Sequence, residues 1–444
     1  MSTAEPTISL ASAEIAKDEP LSKQDIRVLG LAALGGALEF YDFIVFVYLS
    51  SIVEQLFFPV GTPGWLRTVQ TFGIFAIGYL IRPIGGGIMA HFGDLIGRKA
   101  LFMTSILLMA VPTLLMGILP TYASWGIAAP LVLLLLRICQ GIAFAGEGPG
   151  ATTFVAEHVP RRHIGLAGGA LACGFMVGLL LGVSVAYACR HFFSVDAQFT
   201  FAWRVPFLLG GLLGFVALWV RRELHETPVF EHIRARQAES GALPIRIVLK
   251  DHTKAAFMLM LAAFIQSCLF ISVVVLTPVL LPHIAAVSEA GMLQVSIMVV
   301  VMTAAGCFVG GCLSDRFTEP KTWLIYCVVG GCCFTLLQVL TLKGGLTEQH
   351  WLFWGLYGAS GFLLALTGIV SAMAAKMFPA EVRFSGVSFS TNTAYALSGG
   401  ITPLLLTTAI HYTPWAIALY VALLALVGSG LAIALMGKRM PRYL

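Results

Sequence analysis

Charge is scarce in this chain: Asp, Glu, Lys and Arg make up 11% of its 444 residues, while 58% are hydrophobic and the mean hydropathy is +0.89. A soluble domain of this size could not stay dispersed on so little charge, so lipid is the expected solvent. The nine cysteines form no CxxC pair with a matching His or Cys pair, which excludes a zinc or disulfide framework. Cys139, Cys173, Cys268, Cys307, Cys332 and Cys333 fall inside apolar runs, where cysteine serves as a small hydrophobe. His91, His158, His163, His191, His283 and His411 lack partners at metal-ligand spacing. The run Gly85-Gly86-Gly87 follows Pro83 inside an apolar stretch, not a strand, and no Walker sequence exists, so nucleotide is not the energy source. No nucleophile and base pair, metal cluster or cofactor loop stands out; an enzyme is not expected, and neither is a cofactor. Residues 1–24 carry Glu5, Glu14, Asp18 and Glu19 without an apolar core, which suits a cytosolic tail and not a signal or transit peptide.

What the chain does contain is apolar runs of membrane-spanning length, twelve of them. They fall near 27–50, 66–90, 100–119, 127–152, 164–188 and 203–220, then near 254–281, 291–312, 322–342, 351–376, 384–409 and 414–436. The predicted fold class is therefore all-α integral membrane, with two pseudo-symmetric six-helix bundles at 25–220 and 254–444, joined by a polar cytosolic linker at 221–253. A short amphipathic helix on the inner leaflet would fit that linker. Basic residues test the layout. On this reading the cytosolic segments hold 21 of the 27 Lys and Arg, and the outer loops hold only Arg67, Arg190, Arg204 and Lys343. The positive-inside rule then puts both termini in the cytosol, and the net charge of +5 reflects topology and not nucleic-acid binding.

An internal repeat supports the division into halves. Gly93-Asp94-Leu95-Ile96-Gly97-Arg98-Lys99 after the second span is echoed by Gly311-Cys312-Leu313-Ser314-Asp315-Arg316-Phe317 after the eighth. Glu157-His158-Val159-Pro160-Arg161-Arg162 after the fourth is echoed by Phe378-Pro379-Ala380-Glu381-Val382-Arg383 after the tenth.

These residues resemble the major facilitator superfamily: Asp94 to Lys99 matches its D-R-x-G-R-K loop, with Leu95 in place of a basic residue, and Arg137 to Gly141 matches R-x-x-Q-G. The resemblance extends to the metabolite:proton symporter family of proline/betaine, citrate, α-ketoglutarate and shikimate permeases. It is carried by Glu39-Phe40-Tyr41-Asp42-Phe43, Arg82-Pro83-Ile84-Gly85-Gly86, Gly146-Glu147-Gly148-Pro149-Gly150, Trp203 to Phe207 and Glu226 to Phe230. Phe40 stands where the family has Trp, and Gly148 and Pro149 where it has Trp and Gly, at places where substrate contacts are expected. The resemblance implies a loop at Asp94, Gly97 and Arg98 that latches the cytosolic side closed, with Glu157 extending the network. It also leaves little chain after the twelfth span for a C-terminal coiled coil.

Five ionisable side chains other than His lie well inside predicted spans: Glu39, Asp42, Arg82, Arg137 and Glu147. A charge at the bilayer centre costs ~2.5–3.5 kcal/mol on insertion scales, so each is a functional candidate. At ~1.5 Å per residue, Glu39 and Asp42 lie roughly 18–22 Å from the cytosolic start of the first span, and Arg137 about 15 Å from the outer start of the fourth, near the midplane. Two carboxylates near one arginine cannot both ionise cheaply there, so Glu39 and Asp42 are the expected proton-coupling pair. The alternative is that one of them neutralises Arg137 so that the helices pack. Arg137 is the expected ligand of a substrate carboxylate, with Gln140, Tyr41, Gln266, Asn392 and Tyr395 as further substrate contacts. Arg82 and Glu147 are expected lower down, as a gate or a helix clamp near the cytosolic mouth. Gly148, Pro149 and Gly150 would loosen the fourth span and free backbone carbonyls.

The expected protein is thus a proton-coupled symporter of the bacterial inner membrane, importing a small carboxylated metabolite by alternating access. An exporting antiporter and a non-transporting membrane receptor share the pattern.

Overall fold

The computed structural model describes residues 22–59, 61–96, 98–221 and 244–436, and among them all regular structure is helical. The first half comprises α1 (Lys23–Tyr48), α2 (Gly64–Leu80), α3 (Arg82–Ile96), α4 (Arg98–Ile118), α5 (Ala128–His158), α6 (Ile164–Phe192) and α7 (Arg204–Arg221). The second comprises α8 (Pro244–Asp251), α9 (Thr253–Phe270), α10 (Glu289–Arg316), α11 (Glu319–Leu342), α12 (Trp351–Leu363), α13 (Thr367–Met377), α14 (Ala380–Ala409) and α15 (Ala416–Met436). The expected tail and most of the linker lie outside the described residues.

Among the described residues, nine helices are long and apolar enough to cross a bilayer, or ten if Val195–Ala202 and Arg204–Val220, bent by 41°, form one span. The expected twelve require two more. Met103–Ile118 in α4 is apolar but short. The other, α14, is 30 residues long but carries Ser385, Ser388, Ser390, Thr391 and Asn392, all buried against protein. Its polar side chains face the protein interior.

Prolines shape several spans. Pro83 has no N–H to continue the ladder, and the second span breaks at Ile81 into α2 and α3. After α9 the chain widens into a π-helical stretch, Ile271–Leu276, that runs up to Pro278. In an i→i+5 pattern the Val273 carbonyl would look to residue 278 for its donor, which proline lacks. The hydroxyl of Tyr357 donates to Val273 O instead, at 2.6 Å.

The two halves meet along α6, which packs on α1 within its own half and on α10 and α13 of the other. Apolar side chains gain nothing by leaving lipid for one another, so close backbone approach must carry this seam. A Cβ on Gly165 would lie 2.4 Å from the Gly311 carbonyl oxygen, and one on Gly311 2.2 Å from that of Gly165. Asp315 locks the same end: its Oδ1 and Oδ2 accept the N–H groups of Gly165 and Leu166, each at 2.7 Å, at the N-terminus of α6. Lys376 Nζ lies 2.6 Å from Glu319 Oε1 and 4.0 Å from Asp315 Oδ1.

Charge-assisted hydrogen bonds contribute ~1.5–3 kcal/mol each. Asp315→Ala should therefore shift the population toward separation of α6 from α10 at this end by at least tenfold. Spin labels on the two helices should show a longer distance component in the variant; an unchanged distribution would remove Asp315 as a latch.

Candidate functional site

A cavity lies between the halves. From the first half its wall takes Phe40, Tyr79, Arg82, Phe144, Gly148 and Pro149; from the second it takes Gln266, Ser267, Phe270, Thr367, Asn392 and Tyr395, among others. Arg82 is the charged side chain of this wall, and no Asp or Glu occurs among its described residues. The Arg82 guanidinium carbon sits 3.9 Å from the Tyr79 ring centroid and 3.6 Å from that of Phe144. Both rings pack against the guanidinium and restrict its movement. Counting along the chain puts Arg82 near the cytosolic mouth; in the structure it lines the cavity wall with Gln266 and Tyr395.

The second half contributes neutral hydrogen bonding. Gln266 Nε2 donates to Thr367 Oγ1 at 2.9 Å, the Tyr395 hydroxyl lies 3.5 Å from Gln266 Oε1, and Ser398 donates to Ser267 at 2.6 Å. Asn392 ties the halves together. Pro149 inside α5 cannot donate to Ala145, four residues earlier, and Asn392 Nδ2 from α14 takes up that carbonyl at 2.8 Å. Gly86 makes room for the tie, since a Cβ there would lie 2.8 Å from Asn392 Nδ2 and 2.9 Å from Ser388 Oγ.

Behind the wall, inside the first half, lies a second cluster. Asp42 is 5% exposed; Thr113 donates to its Oδ2, and Gln140 Nε2 donates to Thr113 Oγ1 at 2.7 Å. Arg137 is the cation within electrostatic reach of Asp42, and its guanidinium lies 3.8 Å from the Phe46 ring centroid. Among the described residues, Arg137 Nε, Arg137 Nη2 and Gln140 Oε1 have no hydrogen-bond partner. A chamber of about 340 Å³ is lined by Arg137, Gln140, Tyr79, Phe144 and Arg82, so Arg82 borders both this chamber and the central cavity. Asp42 and Glu147 line a third, smaller space together with Ser105, whose hydroxyl donates to Glu147 Oε2 at 2.7 Å.

Tyr41 is 1% exposed and does not reach the central cavity; its hydroxyl donates to the Pro206 carbonyl at 2.7 Å. Glu157 is half-buried in the last turn of α5. The side chains of Glu39, Asp94 and Arg98, and Gly97 altogether, lie outside the described residues. Thr113, Ser105, Tyr79 and Phe144 went unnoticed in the sequence. A threonine directly after Pro112 in an apolar helix was the available signal for the first of them.

Two helical halves packed around a buried cavity, in a chain this apolar, define a multi-pass transporter of the bacterial inner membrane. The chain matches the Major Facilitator Superfamily profile over residues 31–403, and it belongs to that superfamily. It is 32% identical over 410 residues to the inner membrane metabolite transport protein YhjE of Escherichia coli (strain K12), covering 90% of this chain and 91% of that one. It is 31% identical over 414 residues to a candidate proline/betaine transporter of Staphylococcus aureus (strain COL), covering 92% and 87%. Its fold is similar to that of the proton:xylose symporter XylE bound to 6-bromo-6-deoxy-D-glucose, with a TM-score of 0.79 at 14% identity over 94% of this chain and 98% of that one.

The Asn392 tie yields a double-mutant test. Asn392→Ala leaves the Ala145 carbonyl buried without a donor, which should cost ~1–3 kcal/mol. Pro149→Ala supplies a helical N–H, so the double variant should recover most of that loss in thermal unfolding of the detergent-solubilised protein. Additive losses would show that Pro149 and Asn392 do not share the carbonyl.

Proposed function

We propose that this chain is a proton-coupled symporter importing a small carboxylated metabolite by alternating access, with twelve spans and both termini in the cytosol. The observation that carries the reading is the division of charge around the cavity. A lone described cation, Arg82, lies on a wall without described acids, and the acid Asp42 is held one layer behind it with Arg137. An anion entering the cavity meets positive potential from Arg82 and, through the adjoining chamber, from Arg137. Drawing Arg137 toward that anion weakens its hold on Asp42, which then favours a proton on the carboxylate. Substrate and proton are thereby linked through one arginine. Glu39, three residues before Asp42 on α1, and Glu147, which shares a space with Asp42, are the groups through which the proton would arrive or leave. YhjE is named for metabolite transport and XylE for proton symport, and both names accord with this reading.

Vesicles holding the purified protein test it. With acid outside, a symporter should accumulate a labelled organic acid, and reversing the gradient should drive it out; an antiporter gives the opposite sign, and a receptor gives none. Arg137→Lys keeps the charge but loses the planar fork. Apparent affinity for the acid should then fall at least tenfold at normal protein level, and loss of folded protein instead would make Arg137 a packing residue.

A further inference from the structure

A hydroxyl has one hydrogen to give and two lone pairs to fill. Thr113, fully buried on α4, meets two acceptors and one donor. Its Oγ1 is within hydrogen-bonding distance of Asp42 Oδ2 and of the Met109 carbonyl, the latter at 2.8 Å, and Gln140 Nε2 donates to it at 2.7 Å. While Asp42 is ionised, the carboxylate is the stronger acceptor and takes the hydrogen. The hydroxyl can then only accept from Gln140, which holds Nε2 toward Thr113 and leaves Gln140 Oε1 without a partner among the described residues.

A proton on Asp42 Oδ2 reverses one bond. The carboxyl O–H donates to Thr113 Oγ1, and the Thr113 hydrogen turns to the Met109 carbonyl. Gln140 still donates, so both lone pairs of Oγ1 are filled. The heavy atoms keep their places, and neither Asp42 Oδ2 nor Gln140 Nε2 is stranded in either state. An amide nitrogen or a backbone N–H in the same position could only donate, and would face the carboxyl hydrogen with nothing to accept it.

We propose, resting on the reading of Asp42 as the proton-coupling acid, that Thr113 is a positioning residue of the proton step. Its hydroxyl swings between Asp42 and Met109, so the carboxyl is hydrogen-bonded both with and without its proton. The incoming proton stays on Asp42, and Thr113 keeps its own. The other charged or titratable groups around Asp42 are engaged differently. Arg137 on α5 has only hydrogens to give, and Glu147 on the same helix accepts from Ser105. Tyr41 on α1 donates to Pro206, and Cys189 on α6 gives its thiol hydrogen to the Ala202 carbonyl. The side chain of Glu39 lies outside the described residues. From α7 the neighbour is Gly210, where a Cβ would lie 2.7 Å from Asp42 Oδ1.

Infrared difference titration of the purified full-length protein tests the proposal and requires no solute. A protonated carboxyl absorbs apart from a carboxylate, and the band that Asp42→Asn removes is that of Asp42. Thr113→Val keeps the shape of the side chain and removes the hydroxyl. The carboxylate then loses a charge-assisted bond and the carboxylic acid only a neutral one, so the titration midpoint should rise by about one pH unit or more. The band should also change position, because the protonated carboxyl has lost its acceptor. Thr113→Ser, which restores the hydroxyl, should return midpoint and position to near the wild-type values. Thr113→Ala repeats the test if the valine variant does not fold. An unshifted midpoint in the hydroxyl-free variants overturns the proposal, and so does a shifted midpoint at unchanged band position, which would make Thr113 a donor only. If Asp42→Asn removes no titrating band, the reading of Asp42 as the coupling acid falls, and the role of Thr113 falls with it.

Discussion

Backbone polar groups cannot be left to hydrocarbon, and this constraint organises the molecule. A proline inside a span removes a donor, and the carbonyl it abandons must find another. At Pro149 the replacement for the Ala145 carbonyl comes from Asn392 in the opposite half, so a local irregularity in α5 becomes a bond between the halves on the cavity wall. At Pro278 the carbonyl of Val273 is taken by Tyr357 within the second half. The two cases differ in consequence. The second stays within one half, whereas the first must break whenever α5 and α14 separate, so a helix irregularity is tied to the relative position of the halves.

Charge follows a similar economy. In the first half the described buried charges are Asp42, Arg82, Arg137 and Glu147; in the second they are Glu319, paired with Lys376, and Arg383, which donates to the Phe378 carbonyl. The second half meets the cavity with amides and hydroxyls already bonded to one another, such as Gln266 with Thr367. Such groups can exchange partners with a solute without stranding a charge in low dielectric. Arg137, by contrast, lies against the Phe46 ring, which holds a guanidinium in place without neutralising it. Its Nε and Nη2 have no hydrogen-bond partner among the described residues, so its positive potential stays available to an incoming anion.

Much of this was legible in the sequence. Apolar runs marked helices that the structure contains, and the scarcity of charge in them picked out Asp42, Arg82, Arg137 and Glu147, all four buried. What counting residues could not give was rotation about a helix axis. Depth at a fixed rise per residue is one coordinate, and each residue also turns the side chain by about 100°. Phe40 therefore lines the cavity while Tyr41, one position on, bonds to Pro206 inside the first half. That Arg82 points to the cavity beside Gln266 and Tyr395 was likewise not readable from depth alone. The span at 384–409 was legible as an apolar run, but the inward face made by Ser385, Ser388 and Asn392 was not. Thr113 was passed over because a single hydroxyl in an apolar run normally bonds to its own helix, as Thr113 also does at Met109, 2.8 Å away.

The central claim is that Asp42 couples solute to protons while the cavity wall, a layer away, binds the solute. It is tested most directly by recording proton movement that accompanies downhill entry of an organic acid into vesicles without an imposed pH gradient, for wild type and Asp42→Asn side by side. The account predicts that the outside medium turns alkaline as solute enters through the wild type. In the variant, solute should still exchange across the membrane with no accompanying proton. Equal proton movement per solute in both proteins would contradict it and send the search for the coupling group elsewhere in the first half.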